Sequence, residues 1–381
     1  MTGRLQDLLR NFPVERPGEY WLFLYWIITK QQIYPTLQWG IRKLRNRFFT
    51  ARNQSVAYPK EVSAIASHCN LLNNFVSHVG SQAEVGTMET PNSICLAGVE
   101  LDVFDGRVDW CRTFIDREDE ESLHRWNWIL HFLGRKKSKI DDLYWAVQQM
   151  NSWIDQFQNE LQLKKIDGNR MARWDSYTIS ERLSNACILF FVSGIEPSSK
   201  VVKALIEQSL YLVNNLEYRK EYTSNHIINN GRALYLVGAT FDVSILRSLG
   251  QTLLKRELQE LISPAGFVRE GSSHYQFLIT RWLLEVRHFS EGYAEPDFRE
   301  MLEKCCEKLE TQCQFFLPRN NHALSSSIPL FGDISPDFPP EWLSHILTSR
   351  LSYGGSSNIG AERLPEFSWN WIWKDNYQGA D

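Results

Sequence analysis

The sequence predicts an all-α protein built of helical hairpins. Three observations carry that expectation. Apolar residues recur at spacings of three and four through most of residues 139–316, turns bearing Pro or Gly separate the periodic stretches, and strand-like alternation is scarce. A chain of 381 residues with 43% hydrophobic and 23% charged content has the apolar surface for a substantial core.

Taken in order, the first hundred residues read as an N-terminal helical extension and irregular segment, and residues 101–381 as the helical domain with a long C-terminal loop region. The apolar stretch YWLFLYWIIT at 20–29 is followed by Lys30 and two glutamines. It falls far short of the about 20 residues that span a bilayer, so it reads as a buried or interfacial helix and no membrane span is expected. The basic run Arg42, Lys43, Arg45, Arg47 and Arg52 reads as a solvated face. Residues 76–102 mix short apolar runs with Gly, Pro and Thr, which predicts a loop or small strands.

The clearest helix covers 139–163, where Leu143, Ala146, Val147, Met150, Trp153, Ile154, Phe157 and Leu161 mark one face. Ser198 or Ser199, after Pro197, caps another that runs through Val202, Leu205, Ile206, Leu210 and Val213 to about Tyr218. A third covers Ile227 to Phe241. A fourth, from Val243 to Ile262, carries Leu246, Leu249, Leu253, Leu254, Leu258 and Leu261 and stops at Pro264 and Gly266. Two more are expected at 273–289 and 297–316, and residues 317–342 read as a surface loop rich in Pro, Ser and Gly.

Composition excludes some function classes. A net charge of −4 gives no global basic field, so a nucleic-acid partner is not expected. Seven irregularly spaced cysteines form neither a disulfide framework nor a metal pattern and read as reduced thiols. His68, His78, His124, His131, His288, His322 and His345 lack metal-ligand spacing and read as structural. No secretory signal is legible at the N-terminus, so a cytoplasmic chain is expected, with a periplasmic one as the alternative if the N-terminus was processed or replaced. Fourteen tryptophans suit stacking on sugar rings and equally suit core filling.

Five segments then carry a family resemblance. WDSYTISERLSN at 174–185 presents Trp174, Tyr177, Ser180, Arg182 and Asn185; NHIINNGRALYLVGATF at 225–241 opens on Asn225 and His226; PAGFVREGSSHYQFL at 264–278 contains Glu270, His274 and Tyr275. RWNWILHF at 125–132, after Asp109 and Trp110, and FGDISPD at 331–337 are weaker echoes. In this order they resemble the heparinase II/III polysaccharide lyases over roughly residues 20–340. The resemblance implies an incomplete (α/α) toroid, and in that family a β-sandwich follows it. The sequence ends where that second domain would begin. The catalytic histidine and metal site which the second domain contributes in many members are therefore not expected within this chain, nor is any other cofactor.

The reaction implied by the resemblance is β-elimination: the C5 proton of a uronic acid is removed and the C4 oxygen expelled. Donors aimed at the substrate carboxylate stabilise the charge that develops on it. Asn225 is assigned that role, Tyr275 that of base and acid, and His226 that of an assisting imidazole. Trp174, Tyr177, Arg182, Asn229, Glu270 and His274 are expected to bind substrate, an acidic polysaccharide or oligosaccharide. A phenol of pKa about 10 needs a cation or donor beside it to serve as base, for which His226, His274 or Arg182 is expected. Plainer roles stand beside these: Asn225 as a helix cap, Trp174 and Tyr275 as core residues, Arg182 paired with Glu181 on the surface, Asp333 and Asp337 as loop caps. The alternative function is a non-catalytic glycan-binding or polysaccharide-biosynthesis-associated protein that retains the toroid. A glycosidase on the same scaffold would need two carboxylates across one cleft, and the sequence offers no such pair.

Overall fold

A computed structural model describes residues 60–62, 65, 91–97, 99–134, 140–162, 171–218, 224–292, 295–316, 330 and 332–334. The chain divides into two compact units, Met1–Val56 and Ala57–Asp381, and every described residue belongs to the second. The apolar stretch at 20–29 and the basic run that follows it lie outside the described residues, as does nearly all of the loop at 317–342.

The mixed segment near residue 100 contains a small antiparallel hairpin, β1 (Ser93–Cys95) and β2 (Glu100–Asp102), with Ile94 opposite Leu101 and both buried. The other elements are helical. Asp116 caps α1 (Arg117–Arg125) through the Glu118 N–H, with three acidic residues in the first turn where the helix dipole favours them. The segment 125–132 is not one continuous helix. Trp126 takes a left-handed conformation, φ 60°, which ends α1 and lets α2 (Trp128–Gly134) start in a new direction.

The predicted helix at 139–163 is α3 (Ile140–Phe157), closed by a 3-10 turn at Gln158–Gln162. A short α4 (Met171–Trp174) leads to α5 (Ser176–Ser193), which stops at the left-handed Gly194. Ser198 caps α6 (Ser199–Asn214), through the Val201 N–H at 3.4 Å. Then come α7 (Asn225–Thr240), α8 (Ser244–Leu261), α9 (Ser273–Phe289) and α10 (Pro296–Phe315), whose first residue is a proline that needs no N–H partner there.

Side-chain pairings give the directions. A Cβ on Gly238 would lie 2.3 Å from the Arg247 nitrogen and one on Gly250 2.5 Å from the Tyr235 nitrogen, so α7 and α8 run antiparallel with their backbones almost touching. Ser180 meets Asn230 and Cys187 meets Thr240, so α5 and α7 run parallel. Asn225 meets Glu270 and Arg232 meets Glu285, so α9 runs parallel to both. The parallel helices α5, α7 and α9 are buried around most of their circumference, whereas α6 and α8 bury one side. The fold is thus an all-α, two-layered array of hairpins, an incomplete (α/α) toroid. Among the described residues no helix is long and apolar enough to cross a membrane.

Candidate functional site

Because α5, α7 and α9 are parallel, their N-terminal ends gather on one side of the molecule. Each end is tied down differently. Asp175 accepts the N–H groups of Tyr177 at 3.0 Å and Thr178 at 3.4 Å. Ser272 accepts from Tyr275 at 3.2 Å. At the start of α7 the capping position is Ser224, whose side chain makes no capping bond; Glu270, from the loop before α9, accepts the Asn225 N–H at 3.0 Å instead. Glu270 therefore joins the starts of α7 and α9.

Asn225 does not cap its helix. Its carboxamide makes no hydrogen bond among the described residues, although the residue is only 5% exposed. An amide held at the rim with free donors can meet a ligand carboxylate without titrating. Beside it His226 packs on Tyr177, ring centroids 4.8 Å apart, and its Nδ1 lies 2.7 Å from Glu217 Oε1. The Arg125 guanidinium lies 5.0 Å from the Tyr177 ring centroid and bridges Glu118 and Glu121.

Tyr275 completes the group. It is half-buried, its ring 6.0 Å from that of the fully buried His274, and its hydroxyl bonds to none of the described residues. Gly332 explains how Asp333 comes near: a Cβ there would stand 2.7 Å from the Gly271 oxygen, and φ is +82°, so only glycine lets this loop press on the start of α9. Ser272 Oγ donates to the Asp333 carbonyl, and Asp333 Oδ1 accepts the Ile334 N–H at 3.0 Å, as a loop cap should. Burial, then the carboxylates of Asp333 and Glu270, push the Tyr275 hydroxyl far above the ordinary phenol range, with Arg125 opposing weakly. None of His226, His274 and Arg182, expected to favour the phenolate, is among the groups that shift it; Arg125 is the one cation that acts and is outweighed, so the phenol keeps its proton.

Three of the expected substrate-binding residues lie elsewhere, and a fourth, His274, is fully buried beneath the rim. Trp174 is a core residue: its Nε1 donates to Glu160 at 2.8 Å and its ring packs on Trp153 at 5.4 Å. Arg182 and Glu181 are not a surface pair, since both are fully buried and turn to different partners. Arg182 donates to Gln208 Oε1 at 2.9 Å and to the His124 and Arg173 carbonyls, and its guanidinium lies over Trp153 at 4.3 Å. Burial, with Arg173 nearby, pulls its pKa well below the usual arginine value. Glu181 bonds Arg232 at 2.9 Å.

Arg232 also reaches Glu285 at 2.6 Å and the Asn229 Oδ1 at 2.8 Å, while Arg281 pairs with Glu285 at 2.7 Å. Burial alone would lower the Arg232 pKa; Glu285 and Glu181 outweigh it and hold the guanidinium charged. Asn229 therefore sits inside a buried ionic network one turn below the rim, not in a groove.

Arg125, Glu217 and Asn230 are site residues that sequence reasoning passed over or left unassigned. Asn230 donates to Ser180 Oγ at 3.0 Å and to Glu217 Oε2 at 3.2 Å, and its own Oδ1 accepts the Glu217 N–H at 2.9 Å. The one signal available was its place four residues after His226, one turn along the same helix. Among the described residues no group of three or more His, Cys, Asp or Glu side chains could hold a metal ion.

No protein-family model matches the chain, and no curated protein matches it. Among solved structures it is similar to a heparan sulfate lyase HepC from Pedobacter heparinus, at 14% identity and a TM-score of 0.44, covering 74% of this chain and 42% of that one. It is also similar to a heparinase III described as the BT4657 gene product, at 15% identity and a TM-score of 0.41, covering 69% and 41%. A further structure described as heparinase III shares 18% identity with a TM-score of 0.42, covering 72% and 41%. The chain spans less than half the length of these proteins.

Proposed function

We propose that the chain is a polysaccharide lyase module that cleaves a uronic-acid-containing glycan by β-elimination at the N-terminal ends of α5, α7 and α9. What supports this reading is that Asn225, with an unbonded carboxamide, and Tyr275, with an unbonded hydroxyl, both neighbour Glu270, and that the His226 imidazole follows Asn225 at the same end of parallel helices. Asn225 donates to the uronate carboxylate as charge builds on it. His226 Nε2 accepts the C5 proton, the C4–O4 bond breaks as the C4–C5 double bond forms, and Tyr275 gives its proton to O4. Once product leaves, the imidazolium and phenolate are reset through solvent. Assigning the acid step to Tyr275 follows from its retained proton, because a tyrosinate base would have to form against burial and two carboxylates.

Those same carboxylates favour a second reading, a non-catalytic glycan-binding or biosynthesis-associated protein. The two are separated by incubating the protein with heparan sulfate, alginate, hyaluronan and bacterial capsule polymers while following the ultraviolet absorbance of unsaturated uronate. A lyase gives signal with one of them, and Tyr275→Phe lowers its rate by about 10²–10⁴. Retention on a glycan array without product from any polymer supports the binding protein and rejects the lyase.

A further inference from the structure

We infer that Glu217, clamped by Asn230, is the positioning residue of this site: it fixes the His226 ring with its proton on Nδ1 and leaves Nε2 as the acceptor. A carboxylate can only accept, so the 2.7 Å contact between Glu217 Oε1 and His226 Nδ1 requires the hydrogen on Nδ1. Neutral free histidine favours the opposite tautomer, so the protein must hold this one. An ordinary surface His–Glu pair would hold it weakly.

This pair is built differently. Glu217 is anchored through its backbone N–H and its second carboxylate oxygen to Asn230, which is fully buried. Asn230 is itself held by Ser180, whose hydroxyl donates to the Ser176 carbonyl at 2.8 Å. The chain of bonds runs from α5 through α7 to the segment between α6 and α7. The Tyr177 ring packs against the imidazole, centroids 4.8 Å apart. Nε2 bonds to none of the described residues, and the His226 side chain is 31% exposed, so the lone pair is reachable. Asp175 also faces this pair: Glu217 raises its carboxyl pKa and His226 lowers it, both after burial as the main cause.

The catalytic use of this arrangement rests on the proposed role of His226 as proton acceptor, but the tautomer can be read without any substrate. Full-length protein with ¹⁵N-labelled histidine is examined by long-range ¹H–¹⁵N correlation at a pH above the imidazole titration, with His226→Gln assigning the signal. The expected wild-type pattern is a protonated Nδ1 and a pyridine-like Nε2. Glu217→Ala should revert to the Nε2–H form, and Glu217→Gln, which preserves side-chain volume, should show both forms because its amide can accept or donate. A wild-type ring protonated mainly on Nε2, or one tautomer unchanged in both variants, would overturn the inference. With a cleaved polymer in hand, Glu217→Gln should lower kcat by about 10²–10⁴ with little change in KM. The expected spectra without cleavage of any polymer would uphold the positioning role and reject the lyase alone.

Discussion

His124 and Tyr275 show how burial sets the protonation of single residues. His124 Nδ1 accepts the Trp153 indole N–H at 3.0 Å inside the aromatic core, and burial, helped by Arg182 and Arg173, holds its pKa well below 6.5. The unfolded chain binds that proton and the folded one does not. Stability from this group is therefore complete above about pH 6.5 and is lost as pH falls from there toward the depressed value, by about 1.4 kcal/mol per pH unit. Asp175 and Glu121 have the opposite sign, being raised mainly by burial, so their contribution is lost as pH rises through the carboxyl range. Urea unfolding at pH 7.5 and 5.5 should thus show a steeper loss for the wild type than for His124→Asn; equal losses would mean that His124 titrates normally. For Tyr275, ultraviolet titration of wild type against Tyr275→Phe should reveal no missing phenolate up to pH 10, and a missing one would return the tyrosine to the role of base.

At the scale of elements, the seam between α7 and α8 is set by glycine. Gly238 and Gly250 leave no room for a β-carbon, and the atoms they face are backbone, which cannot swing aside. Gly238→Ala should cost about 1–3 kcal/mol through overpacking. Gly194 is a useful contrast, since a β-carbon there meets nothing within 4 Å and the cost is left-handed strain alone, about 1–2 kcal/mol. Adding bulk separates the two: Gly238→Val should lower the melting temperature well beyond Gly238→Ala, while Gly194→Ser should match Gly194→Ala. Ser272 tests the start of α9, where one hydroxyl both caps the helix and donates to the Asp333 carbonyl. Ser272→Ala should cost about 1 kcal/mol, and an unchanged melting temperature would deny it the capping role.

Across the whole molecule, the parallel helices are joined by charge as well as by apolar packing. Arg232 on α7 binds Glu181 on α5 and Glu285 on α9, all fully buried. Arg232→Met would strand the Glu181 carboxylate and leave Glu285 to Arg281 alone, and should cost about 3–5 kcal/mol, read as a lower urea midpoint with an unchanged slope; a loss under about 1 kcal/mol would mean that the network is open to water. The helices α3 and α6 to α10 were legible in the sequence to within a few residues, because apolar spacing, N-caps such as Ser198 and breaks such as Pro264 act over one or two turns. The turn at Trp126 was not, since no glycine marks it. Nor was the fate of Ser180, Glu181, Arg182 and Asn185, four polar residues on one helix that are all fully buried. Glu181 meets its partner 51 residues away, and Arg182 its glutamine 26 away. The sequence alone thus determined the bounds of α3 and of α6 to α10, since those choices depend on near neighbours. Only the tertiary structure decided which polar side chains hold the helices together and which, like Asn225, remain open at the rim, because burial and charge pairing depend on atoms distant in the chain.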